Sequence, residues 1–95
     1  MNRVQFLNEV INIVESREYG DPKDCLQAIA DLWTAYIGKH TFSKEDVGIM
    51  MMLLKIARIK ANCRDDGFIE PGTADSWLDI AGYSAITYEA SNPSR

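Results

Sequence analysis

DVGIMMMLLKIARIKAN, residues 46–62, is the stretch whose reading decides the fold. Val47, Met50, Met51, Leu54, Ile56 and Ala57 follow one another at helical spacing and cover more than half of the circumference. A helix with so little polar surface needs neighbours on several sides, so it reads as the central helix of an α-helical domain. Just before it, Ser43 precedes Lys44, Glu45 and Asp46. The serine oxygen can accept from a free N–H there, and the acids face the positive end of the helix dipole.

Three more helical patterns flank this one. On the N-terminal side, Val4, Leu7, Val10, Ile11 and Val14 recur at steps of three and four, and the pattern ends near SREYGDP, residues 16–22. Asp21 and Pro22 then read as the N-cap and first position of a second helix. Its stripe is Leu26, Ile29, Trp33 and Ile37, widened by Cys25, Leu32 and Tyr36, with Gly38 as a left-handed stop. On the C-terminal side, NCRDDGFIEPGTA (62–74) reads as the one substantial loop. A cap at Thr73 or Asp75 opens the last helix, DSWLDIAGYSAI (75–86), whose expected seam is Trp77, Ile80, Ala81, Ser84 and Tyr88. Ala81, Gly82 and Ala85 would permit close helix approach. No segment alternates as a strand does, so the expectation is an all-α, compact four-helix bundle over residues 1–90, with 91–95 as a frayed tail.

Ninety-five residues suffice for one domain, and 46% apolar with 25% charged residues is an ordinary globular balance. The net charge of -4 and a pI of about 4.8 disfavour general DNA or RNA binding. The longest apolar run, residues 47–54, is short of the ~20 residues that cross a bilayer, and MNRVQFLNEV lacks the layout of a secretory signal. A cytoplasmic protein without membrane contact is expected. Cys25 and Cys63 have no metal-binding spacing and are assigned no role, and the lone His40 belongs to an exposed loop.

The candidate chemistry lies where charge interrupts apolar faces. Lys55 and Arg58, three apart, make a small cationic patch suited to a phosphate. Asp75, Asp79 and Tyr83 succeed one another at steps of four and share one helical surface. Asp75 and Asp79 could hold Mg2+ through waters, since that ion takes one or two protein carboxylates and leaves its other positions to water and phosphate. The structural alternative is that Asp75 caps its helix while Asp79 pairs with Lys55 or Arg58 as a brace, and that reading is slightly ahead. Asp24 and Asp31 can converge on Asp79 in a bundle, although Asp24 is also a favourable first-turn acid. Met50, Met51 and Met52 cannot all face one way, so at least one points toward a further element or a second copy of the chain. A homodimer is expected, with Trp33, Tyr36 and Trp77 as core or interface anchors.

The order SREYGDP, DLWTAYIG, FSKEDVGIMMMLLKIARIK and DSWLDIAGYSAI, spanning roughly residues 11–87, resembles a small uncharacterised family encoded mainly by phages and prophages. A more distant likeness is to the all-α nucleotide pyrophosphatases similar to MazG, which hold Mg2+ and a nucleotide with acidic residues on packed helices. Asp24, Asp31, Asp75 and Asp79 would be a thinner acidic set than those enzymes use. The resemblance implies a phage accessory protein in the host cell cytoplasm, and the charged residues themselves point to binding of a phosphorylated small molecule or nucleotide at Lys55, Arg58, Asp75, Asp79 and Tyr83. The alternative is a protein without an active site that docks on a host defence protein and inhibits it. Catalysis is not the expectation, and an enzyme here would be a Mg2+-dependent nucleotide pyrophosphatase.

Overall fold

The computed structural model describes residues 1–16, 20–69 and 71–92. It is all-α, with α1 at Arg3–Ser16, α2 at Pro22–Ile37, α3 at Lys44–Ala61 and α4 at Ala74–Ser91, the last entered through a 3-10 turn at Pro71–Thr73. Among the described residues there is no strand, only an isolated antiparallel bridge between Cys63 and Ile69.

Local chemistry sets the helix ends. Asn2 and Gln5 cap α1 reciprocally, the Gln5 N–H donating to Asn2 Oδ1 at 2.9 Å and the Asn2 N–H to Gln5 Oε1 at 2.8 Å. Asp21 accepts from the Lys23 N–H with Pro22 at the first helical position, as its sequence predicts. At the other end of α2, Gly38 adopts φ 76°, a left-handed conformation that a side chain would strain, and its N–H donates to the Thr34 carbonyl. Ser43 and Asp46 form a complete capping box on α3. Beside it, Lys44 Nζ lies 3.0 Å from Glu45 Oε1, and this contact holds the Glu45 carboxyl below its ordinary 4.5.

The core gathers Leu26 and Ala30 of α2, Val47 of α3 and Ala90 of α4, with Ile29, Trp33, Phe42 and Met51 packed against them. Trp33 meets Phe42 edge-on at 5.9 Å, and the Phe42 N–H donates to Thr34 Oγ1 at 2.8 Å, so the α2–α3 loop is pinned to α2. Helices α2, α3 and α4 pack against one another, whereas α1 leans chiefly on α4 through buried Val10. That uneven packing shows in the dimensions, 41 × 31 × 19 Å with a radius of gyration of 15.1 Å, against roughly 12 Å for a compact domain of this length.

Two helices are rotated from their expected faces. On α4 the packed residues are Leu78, Asp79, Tyr83, Ile86, Thr87 and Ala90; of the expected seam, Ile80 and Ala81 are half-buried while Trp77, Ser84 and Tyr88 are exposed. On α1, Val10 is buried and Phe6, Ile13 and Val14 are half-buried, leaving Val4, Leu7 and Ile11 in solvent. Both segments are apolar over too wide an arc for one pole to be chosen locally. Leu32 and Tyr36, expected to widen the α2 stripe, are also exposed. Thr73 occupies the N-cap position of α4 without a side-chain cap bond, and Asp75 lies exposed in the first turn. Ser91 still belongs to α4 and Asn92 terminates it; the rest of the expected frayed tail, 93–95, lies outside the described residues. So do residues 17–19 of the turn that follows α1.

The loop after α3 is more ordered than its composition suggests. The Arg64 N–H donates to the Phe68 carbonyl at 2.7 Å, and the Asp66 carboxylate accepts from both the Phe68 N–H and the Arg64 guanidinium. Arg64 also sits 5.2 Å from the centre of the Phe68 ring.

Candidate functional site

Two contacts set the register of α3 on α4. Gly48 stands against Thr87, so closely that an added Cβ would lie 2.6 Å from Thr87 Cγ2. Seven residues further along α3, Lys55 Nζ lies 3.1 Å from Asp79 Oδ2, eight residues back along α4. The helices are therefore antiparallel, and the same register carries Arg58 level with Asp75 and Met51 and Met52 level with Tyr83. Of the five residues singled out by the sequence, Lys55 and Asp79 meet across the α3–α4 interface, Tyr83 is half-buried on α4, and Arg58 and Asp75 lie exposed at the same level.

The seam is graded in exposure. Its centre is the Lys55–Asp79 pair, with side chains only 13% and 18% exposed, and Asp79 makes a further contact besides Lys55. Tyr83 is half-buried and engaged as well. At the rim, Arg58 and Asp75 are open to solvent. Of the two partners left open for Asp79, the structure selects Lys55. The pair knits the most extensive helix interface of the domain, and the rim charges have side chains reachable from outside.

Asp24 and Asp31 do not join this seam. Asp24 is exposed in the first turn of α2, and Asp31 accepts from Gln27 Nε2 on the same helix at 3.0 Å. Among the described residues, no group of three or more His, Cys, Asp or Glu side chains is placed to hold a metal ion. One acidic run escapes the sequence reading: Glu15, Glu18 and Asp21, spaced three apart across the α1–α2 junction. Glu15 is exposed, Asp21 caps α2, and Glu18 lies outside the described residues. The Gly48–Thr87 approach was also unforeseen, since only the packed structure shows which small residue meets which neighbour. Cys25 and Cys63 are free and half-buried, and His40 is exposed with its ring 4.8 Å from that of Phe42.

The class this geometry defines is a small all-α domain with a charged helix–helix seam, and no helix among the described residues is long and apolar enough to cross a membrane. The chain belongs to the family described as a domain of unknown function, DUF6378, which matches residues 5–91. It is similar to the Gene 55 protein of Mycobacterium phage L5, 42% identical over 78 residues, covering 82% of this chain and 45% of that protein. The Gene 55 protein of Mycobacterium phage D29 is 36% identical over 69 residues, covering 73% and 40%. The chain thus spans less than half the length of these phage relatives. No solved structure matches it.

Proposed function

We propose that this chain is a phage accessory domain that binds a phosphorylated small molecule of the nucleotide class, with Mg2+, along the α3–α4 seam. The observation that carries this reading is the opposed charge ladder, Lys55 against Asp79 with Arg58 and Asp75 at the open rim. Asp75 and Asp79 would hold Mg2+ through waters, and the ion would supply positive charge for the phosphate. The Lys55 ammonium and the Arg58 fork would meet the phosphate. Tyr83 closes the inner end. The function is binding, and no hydrolytic step is assigned.

Thermal shift across a panel of nucleoside mono-, di- and triphosphates, with and without Mg2+, tests this, because binding to the native state raises stability by mass action. Arg58→Ala and Asp75→Asn, both at the exposed rim, should abolish the shift without altering the fold. A panel with no shift overturns the reading.

A second reading has its own observation. Val4, Leu7 and Ile11 of α1 are 61%, 58% and 52% exposed and lie at the spacing by which a helix fills an apolar groove. Through them the domain would dock on a host protein, in the manner of an anti-defence inhibitor. Its net charge of -4 favours a groove with a basic rim. An identified host protein that binds the purified wild-type chain and not Leu7→Asp supports docking; equal binding by Leu7→Asp excludes α1.

A further inference from the structure

The side of α3 turned away from the core is apolar as well. Val47, Gly48, Lys55 and Ile59 face α2 and α4, whereas Ile49, Met50, Leu53, Ile56 and Ala57 form an exposed stripe, with Leu53 at its middle 56% exposed. Ile49, Leu53 and Ile56 follow at steps of four and three, the spacing of a helix–helix seam. Asp46 and Lys60 extend the same face, each seven residues from Leu53, on opposite sides.

We propose that this stripe is the contact between two copies of the chain, with the α3 helices antiparallel about a twofold axis near Leu53. Charge selects both the occupant and the orientation. In the antiparallel arrangement Asp46 of each copy faces Lys60 of the other, twice over, whereas parallel helices would set Asp46 on Asp46 and Lys60 on Lys60. The acidic first turn and basic last turn of α3 reinforce the same choice.

The α3 stripe lies opposite the charged seam, so self-association leaves the ligand rim open and stands apart from the α1 docking reading.

Light scattering on the purified chain should give twice 10.7 kDa. Leu53→Asp should give a monomer with its helical circular dichroism retained, because Leu53 makes no part of the core. Leu32→Asp, a still more exposed leucine on α2, should remain dimeric, and Lys60→Glu should weaken dimerisation about tenfold or more. With Cys25 and Cys63 replaced by serine, spin labels at Lys60→Cys should lie about 20 Å apart or more, from fourteen residues of helical rise. A monomeric wild type, a Leu53→Asp dimer, or labels in contact would each overturn the proposal.

Discussion

Replacing Gly48 by alanine separates two opposed physical effects in a single methyl group. Judged by helix propensity alone, Gly48→Ala in the first half of α3 should stabilise the protein by about 1 kcal/mol. The packed structure reverses the sign. The new Cβ would sit 2.6 Å from Thr87 Cγ2 and 2.8 Å from Thr87 Cβ, with the hydroxyl oxygen nearer still. Thr87 is buried and β-branched, so its Cβ is held by the α4 backbone and no rotamer relieves the overlap. Relief needs α3 and α4 to move apart, and overpacking of that kind costs typically 1–3 kcal/mol. With the clash at the upper end of that range, the net loss is about 2 kcal/mol after the propensity gain. In a domain of this size each kcal/mol lowers Tm by about 4–8 °C, so a fall of roughly 8–16 °C is expected in a melt at fixed protein concentration. Adding Thr87→Ala should recover part of the loss, with about 1 kcal/mol of coupling, since the remaining Cβ is still too close. A Gly48→Ala protein that melts higher than wild type would refute the close α3–α4 approach.

The other predictions concern single polar groups. Asp79→Asn should cost about 1–3 kcal/mol, between an exposed and a fully buried ion pair, and the Lys55→Met, Asp79→Asn double variant should lose less than the sum of the singles in urea unfolding. Thr87 Oγ1 is buried without a hydrogen-bond partner, so Thr87→Val should be neutral or up to about 1 kcal/mol stabilising; a marked loss would show that the hydroxyl is satisfied in solution. Glu45 has its folded pKa depressed below 4.5 by Lys44, so its contribution is present above that value and is lost as pH falls through the depressed pKa. Glu45→Gln should therefore flatten the acid limb of stability against pH slightly, and less so in high salt because salt reaches the half-buried pair. An unchanged acid limb at low salt would contradict that assignment.

The parts of this protein legible in one dimension are those governed by neighbours in sequence. Asp21 with Pro22, Gly38, and Ser43 with Asp46 end or begin helices through bonds that span four residues or fewer, and each acts where its pattern places it. The reciprocal cap of Asn2 and Gln5 was readable on the same grounds and was missed. The order of the four helices and the set of residues able to carry charge chemistry belong to the same class.

Helix rotation is a different kind of quantity. Apolar side chains surround most of α4, so its own sequence supports several seams of nearly equal merit, and packing against α2 and α3 chooses the one containing Asp79, Tyr83 and Thr87. For the same reason a charged residue on α4 could be counted without its partner being known. Sequence by itself therefore determined four helices, the caps of α2 and α3, and five residues worth watching. Only the tertiary structure decided that Lys55 faces Asp79, that Gly48 admits Thr87, and that Leu7 and Ile11 of α1 and Ile49, Leu53 and Ile56 of α3 stay uncovered. Caps are settled by local hydrogen bonds, whereas facing surfaces are settled by burial summed over helices distant in the chain.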